Sequence, residues 1–285
     1  MQWLGENKSS GATPGEHVAA KALVRDFWDQ ASCGEVYAVG ETPALRYEMQ
    51  RATRYRLEPY IASFARFESG RGVDVLEVGV GMGADHLEWA KVGPRTLTGI
   101  DLTPRAIGHT RERFRVCGHV SRLVVGDAER LPFADSSFDL VYSWGVLHHS
   151  PHPEAAIAEV HRVLRPHGTA RIMIYHDRSL VGIMLWIRYA LLTGHPRTSL
   201  AEVYAAHLES PGTKAYSVEA ARALVARFAE CRVRSHLSFG DLLLGAAGTR
   251  HAPGLASLAR KIWPRWLIRR AFRNCGLMLL IEVIK

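Results

Sequence analysis

The sequence predicts an α/β fold, a doubly wound and mostly parallel sheet, and three observations carry that prediction. The first is alternation. Apolar, β-branched runs at 73–79, 96–100, 121–126, 138–143 and 169–175 are separated by stretches with helical patterning. Strands that alternate with helices form a parallel sheet covered by helices on both faces. The second is the stretch Val73 to Ala84, where a buried strand runs into Gly79, Gly81 and Gly83 and then into a helix over about 83–91. Glycine takes positive φ and lets a ligand approach with no Cβ in the way. The helix that follows points its free N-terminal amides at whatever rests on the loop. The third is that Gly79, Asp101, Asp127, Ser143 and Tyr175 all fall at strand carboxyl ends, where open α/β sheets bind ligands. These features together point to a nucleotide-type ligand.

The glycines alone leave the ligand open, because Gly79, Gly81 and Ala84 also fit the G-x-G-x-x-G/A dinucleotide pattern. Three acids shift the reading. Glu77 sits two positions before the first glycine. Asp101, 22 residues after Gly79, can accept both hydroxyls of a ribose. Asp127, in Gly126-Asp127-Ala128, can accept from the exocyclic amine of adenine. A dinucleotide enzyme has much less need of Glu77 and Asp127, and it usually needs a second mononucleotide half.

Five segments appear in order: Leu-Glu-Val-Gly-Val-Gly-Met-Gly (76–83), Gly-Ile-Asp-Leu-Thr (99–103), Gly-Asp-Ala-Glu-Arg-Leu-Pro-Phe (126–133), Ser-Phe-Asp-Leu-Val-Tyr-Ser (137–143) and Arg-Val-Leu-Arg-Pro-His-Gly (162–168). With them, the region from about 73 to 175 resembles a class I S-adenosylmethionine-dependent methyltransferase of the type 11 kind. The resemblance implies a Rossmann-like, seven-stranded sheet with an antiparallel last strand, and S-adenosylmethionine as cofactor. It implies that Glu77 and the loop of Gly79, Gly81 and Gly83 contact the amino-acid part of the cofactor. Asp101 would take the ribose hydroxyls, Leu102 would flank the adenine, and Asp127 and Ala128 would bind the adenine edge. Ser143 or Trp144 would lie near the methionine end. The bland alternative for Asp101 is a helix N-cap before Thr103-Pro104. One departure is His167, where the family usually has glycine; at a turn position little consequence is expected.

Outside this core, residues 1–15 are polar and read as a mobile arm. Residues 16–69 read as a helical cover, with one helix over 16–29 and a longer one over 43–67 that Pro59 may bend. In the family such helices lie over the cofactor and line the acceptor pocket; merely covering the sheet edge is the alternative. The core spans 70–177. A cap and acceptor region follows over 178–230. Its apolar run at 180–192 is interrupted by Arg188 and is too short for a bilayer, which needs about 20 residues. Residues 231–285 hold the last two strands, at 231–239 and 276–284, which pair antiparallel in the family. Between them lies a basic amphipathic insertion over 241–275.

The 285 residues allow one large domain with a cap, and 47% hydrophobic content can fill its core. A formal charge of +8 admits nucleic acid, an acidic ligand or a membrane surface as partner. No RNA-recognition motif accompanies it, so nucleic acid is not expected. Contact of 250–273 with a membrane surface or an anionic ligand is one reading of the insertion, and a solvated face is the other. Four scattered cysteines suggest neither disulfides nor a zinc knuckle, and a cytoplasmic location is expected. The first residues lack the apolar core of a signal peptide.

Methyl transfer demands firm cofactor residues and softer catalytic ones, since a base is needed only when the acceptor arrives protonated. His149 and His148, just past the fourth strand, are candidate bases near neutral pH. Tyr175 and His176, at the end of the fifth, are a second candidate set. For Tyr37, packing is the simpler role and facing the pocket the alternative. No metal is expected, because no carboxylate at suitable spacing joins His148, His149 and His152. The expected function is methylation of a small molecule, a natural product, sugar or lipid-linked intermediate, most readily on oxygen. N- or C-methylation, and use of the cofactor fold for a cyclisation without methyl transfer, are the alternatives. Dinucleotide oxidoreduction is the remaining one. Acceptor identity and oligomeric state do not follow from the sequence.

Overall fold

The computed structural model describes residues 14–244 and 263–285. Its strands are β1 (Asp74–Val78), β2 (Thr96–Asp101), β3 (Arg122–Val125), β4 (Phe138–Trp144), β5 (Leu164–Tyr175), β6 (Glu230–His236) and β7 (Met278–Ile284). They form a single seven-stranded sheet in the order β3-β2-β1-β4-β5-β7-β6. The first five run parallel, and β7 pairs antiparallel with both β5 and β6. This is the predicted architecture. Strand order reverses between β1 and β4, so the crevice for a ligand opens at the carboxyl ends of those two strands.

The helices are α1 (Pro14–Gln30), α2 (Pro43–Leu57), α3 (Tyr60–Ala65), α4 (Ala84–Lys91), α5 (Pro104–Cys117), α6 (Pro153–Val163), α7 (Leu180–Trp186), α8 (Leu200–His207), α9 (Val218–Leu224) and α10 (Arg265–Ala271). Local chemistry sets their starts. Thr42 and Thr103 each cap a helix that has proline at its first position, accepting from Leu45 N and Ala106 N at 3.2 Å. Ser199 and Glu202 form a reciprocal capping box on α8.

Several boundaries differ from the sequence reading. The expected helix over 43–67 is two helices, because the residue before a proline is driven from the α region; Glu58, before Pro59, sits at φ −126° and ψ 62°. The run at 180–192 is α7 followed by a π-helical turn, Ile187–Leu191. The fifth strand starts at Leu164 rather than 169, with an irregular register opposite Phe138 and Leu140. His167 on that strand has φ 63°, a backbone conformation that favours glycine, so its departure from the family pattern does carry a conformational cost. Of the basic insertion, 245–262 lies outside the described residues, as does most of the 1–15 arm.

Two cores sandwich the sheet. Neighbouring residues of one strand go to opposite sides, since side chains alternate along a strand. Leu76 packs with Ile100, Val141 and Ile157, whereas Val75 packs with Trp89, Tyr142 and the α3 residues Ile61 and Phe64. Complete burial of Phe64 and Ile61 contributes roughly 1.5–3 kcal/mol each, which holds the N-terminal helices to the sheet. Among the described residues, no helix is long and apolar enough to cross a membrane.

Candidate functional site

The glycine loop after β1 divides its work. Gly79, Gly81 and Gly83 have φ of 83°, 51° and 72°. A Cβ on Gly79 would lie 2.1 Å from Val146 Cγ2, and one on Gly83 would lie 2.8 Å from Thr110 Oγ1, so these two serve close packing. Nothing lies within 4 Å of the Cβ position on Gly81. Its open face is the place where a ligand can reach the backbone.

Asp101 ends β2 and turns toward that loop. Its Oδ2 accepts from Gly81 N at 3.1 Å, and its Oδ1 accepts from Thr103 N at 3.0 Å and Thr103 Oγ1 at 2.9 Å. The N-cap of α5 is Thr103, which leaves Asp101 on the loop side. Burial pushes its carboxyl up, against these hydrogen bonds. Leu102 beside it is partly buried. Asp127, past β3, accepts from Glu129 N at 2.9 Å and pairs with Lys21, which also reaches Glu129. Ala128 packs on the core. Asp29 Oδ1 accepts from Arg105 N at 3.1 Å, and the Trp28 ring meets the His149 ring edge-on at 5.3 Å. Helix α1 therefore crosses the ends of β2, β3 and β4, the cofactor side of the sheet.

Glu77 lies inside, only 3% exposed, with Oε2 2.9 Å from His86 Nδ1. Ser143 Oγ donates to Val78 O at 3.0 Å and stitches β4 to β1 at the switch point. Trp144 packs against Tyr60 and Phe64.

One buried network had no sequence signature. Asp85, in the first turn of α4, accepts from Arg54 Nε at 2.9 Å and Nη2 at 2.7 Å, and from the hydroxyls of Tyr55 and Tyr142, both at 2.9 Å. Burial would raise the Asp85 carboxyl, but the Arg54 charge holds it below its usual value. Glu58, whose Oε2 is 3.6 Å from Arg54 Nη1, is pushed up to about 7 by burial, with Arg54 opposing. The i,i+4 spacing of Arg54 and Glu58 was a readable signal; the Arg54–Asp85 pair, on separate helices, was not.

The histidine turn Leu147–His149 follows β4. His148 is fully buried between the His149 ring at 4.2 Å and the Tyr175 ring at 4.0 Å, and neither of its nitrogens has a hydrogen-bond partner. Burial and the neighbouring His149 and Lys214 hold it well below the usual histidine range, so it is a neutral imidazole. His149 Nδ1 lies 2.8 Å from Ser210 Oγ and 3.1 Å from Thr213 Oγ1. The Thr213 hydroxyl donates to Ser210 O at 2.6 Å, so it can only accept from the imidazole. The Ser210 hydroxyl can donate to Nδ1 or accept from it, and Nε2 faces Glu209 Oε2, 3.2 Å away. Tyr175 donates to the same oxygen at 2.8 Å, and burial with the Glu209 charge keeps its phenol protonated.

Sequence reasoning missed Glu209, which lies 60 positions from His149. It supplies the carboxylate whose absence argued against a cation: ligand-capable atoms of His148, His149 and Glu209 lie within 4.8 Å of one another. Two candidates go elsewhere. His176 Nδ1 donates to Gly276 O at 3.0 Å, and the His152 ring stacks on His17. Tyr37 is partly buried, and burial raises its phenol.

The profile of the family described as "Methyltransferase domain" matches residues 76–172, the span of the glycine loop, Asp101, Asp127 and the histidine turn. Over that span the chain resembles the class I S-adenosylmethionine-dependent methyltransferases. A fatty-acid O-methyltransferase of Mycolicibacterium smegmatis is 37% identical over 122 residues, 42% of this chain and 43% of that protein. A malonyl-[acyl-carrier protein] O-methyltransferase of Pectobacterium atrosepticum is 29% identical over 185 residues, 65% of this chain and 64% of that protein. The chain thus spans less than two thirds of either relative. A chain of the complex between the Haloferax volcanii Trm112 methyltransferase activator and the putative methyltransferase matches at TM-score 0.57 and 19% identity, over 91% of this chain and 96% of that one. That likeness is one of fold.

The residues of the candidate site fit S-adenosylmethionine as a cofactor. The Gly81 face is clear of side chains, and carboxylates stand at the ends of β2 and β3, where a nucleoside's hydroxyls and amine need acceptors.

Proposed function

We propose that the chain transfers a methyl group from S-adenosylmethionine to an oxygen of an apolar, lipid-like small molecule. The observation that carries this reading is the juxtaposition at the switch point. The open Gly81 face and Asp101 lie beside the end of β1, and the His149 cluster follows β4, its neighbour in the sheet. The names of the two relatives, a fatty-acid and a malonyl-[acyl-carrier protein] O-methyltransferase, support oxygen and an acyl-type acceptor.

The 79–83 loop and the free oxygen of Glu77 hold the amino-acid end of the cofactor. Asp101 takes the ribose hydroxyls. Leu102, Asp127 and Ala128 hold the adenine, and Ser143 and Trp144 border the methionine end. Bound there, the cofactor supplies a methyl group already activated on a sulfonium. The residues of the chain align donor and acceptor and exclude water, and alignment can be worth roughly 7–11 kcal/mol. His149 stands oriented by Ser210 and Thr213 to take a proton at Nε2 where the acceptor brings one, with Glu209 stabilising the charge that forms. The four unpaired cysteines support a cytoplasmic setting.

Calorimetric titration with S-adenosylmethionine, S-adenosylhomocysteine and NADH tests the cofactor reading; micromolar binding of the first two alone is expected. Mass spectrometry of reactions with long-chain acids and alcohols should then show S-adenosylhomocysteine together with a methylated product. Binding of NADH alone would overturn the reading at its root. Cofactor binding with no methylated product from either class would replace it with a non-methylating use of the fold.

A further inference from the structure

A partly open cleft of about 170 Å³ lies between α1 and the 210–214 loop, beside the histidine turn. Val24 and His149 are its buried floor, exposed Leu23 and Pro211 form its rim, and Pro151 adds to an apolar wall. One cation lines it, the half-buried Lys214. Lys214 Nζ donates to Ser150 O at 2.8 Å, and among the described residues it forms no ion pair. Two of its three N–H groups are therefore left over. Glu154 and Glu129 attract the ammonium from farther off, yet burial still holds it below the usual lysine range, so an anion in direct contact would be favourable. The backbone fixes its place, because Lys214 N donates to His148 O at 3.1 Å and ties the loop to the histidine turn.

We propose that this cleft is the acceptor subsite and that Lys214 binds the carboxylate of an apolar carboxylic acid whose chain lies along the Leu23–Val24–Pro151 wall. The floor residue His149 also belongs to the cluster of the candidate site, so the cleft adjoins the proposed place of transfer. A neutral acceptor would leave Lys214 without a contacting anion, and a short polar acid would leave the apolar wall unused. Binding at the cleft stands independently of the methyl-transfer reading, whereas the reaction rests on it. In that reaction a carboxylate oxygen forms the bond to the methyl carbon as the sulfur–carbon bond breaks. The sulfonium becomes the thioether of S-adenosylhomocysteine, the acid becomes its methyl ester, and no proton moves. The proton-accepting role of His149 is then idle for acids.

The test uses the full chain, with laurate below its micelle concentration and dodecanol as its uncharged counterpart, titrated with and without S-adenosylhomocysteine. Wild type should bind laurate at least about tenfold more tightly than dodecanol, the range a charged hydrogen-bonded contact supplies. Lys214→Met should erase that preference and Lys214→Arg should keep it, with S-adenosylhomocysteine affinity unchanged in both. In turnover, Lys214→Met should raise KM for the acid with kcat largely retained. Equal binding of acid and alcohol by wild type, or an acid preference that survives Lys214→Met, would overturn the subsite. Failure of S-adenosylhomocysteine to bind would count against the cofactor reading alone, because laurate binding is read separately.

Discussion

Glu77 Oε2 and His86 Nδ1 meet 2.9 Å apart in the interior, where burial favours a neutral acid facing a neutral imidazole. The chain of donors fits this state. Ser121 Oγ donates to Leu97 O at 2.9 Å, so it accepts from His86 Nε2 at 2.7 Å. Burial drives His86 down to about 3, so the ring holds one proton, on Nε2. Its Nδ1 must then accept, and Glu77, pushed well above the carboxylate range by burial, is the donor. Glu77→Gln keeps a donor in place and should change stability by less than about 1 kcal/mol. Glu77→Ala should cost about 1–3 kcal/mol through the cavity and the orphaned imidazole. Urea denaturation of the two variants separates these outcomes; equal losses would mean that the pair is ionised.

Asp101 carries a prediction of the opposite kind, large for binding and small for folding. Its carboxylate, partly buried at the end of β2, accepts from Gly81 N, Thr103 N and Thr103 Oγ1. Asp101→Ala should weaken S-adenosylmethionine binding by about a hundredfold or more, since two charge-assisted hydrogen bonds to a ribose would be lost. The variant should still unfold cooperatively. Unchanged calorimetric affinity would remove the ribose assignment.

These two carboxyls also show what the sequence could and could not convey. The loop, Asp101 and Asp127 were legible because each is contiguous with an apolar strand that ends where ligands bind. The antiparallel β7 followed from resemblance, not from any local pattern. The state of Glu77 was not legible, because it depends on His86, nine positions on, and on Ser121, just before β3. Lys21 with Asp127, Arg54 with Asp85 and His149 with Glu209 join separate elements, and such pairs leave no periodic mark. Asp127 was read as a free adenine acceptor, while the structure also makes it an anchor for α1. The helix break at Glu58 was half legible, since Pro59 marked the place but not the burial of the acid beside it.

His167 is exposed and holds φ 63°, so its side chain contributes strain and little packing. Histidine tolerates this region better than most residues, which limits the cost. His167→Gly should stabilise the chain by about 0.5–1 kcal/mol, the relief of strain exceeding the added freedom of the unfolded chain. His167→Val should destabilise it by about 1 kcal/mol or more, because a β-branched residue fits poorly there. Thermal unfolding should place the three proteins in the order glycine, histidine, valine. Any other order would mean that the backbone at 167 adopts a different conformation.

Glu58 gives a prediction with a pH signature. In the folded chain burial lifts its carboxyl from 4.5 to about 7, with Arg54 pulling the other way. The unfolded chain releases that proton near 4.5, so between about pH 4.5 and 7 the folded state binds more protons than the unfolded one. Stability from this group is therefore fully present below pH 4.5 and is lost as pH rises to about 7, after which the loss is constant. The full effect is about 3 kcal/mol as an order of magnitude. Glu58→Gln removes the titration and keeps the shape. Plotted against pH, the stability of wild type minus that of the variant should fall through this window and level off above it. Denaturant unfolding at intervals from pH 4.5 to 8 measures the difference. A flat difference would mean that Arg54 keeps Glu58 ionised throughout, and the buried acid would then be half of an ion pair.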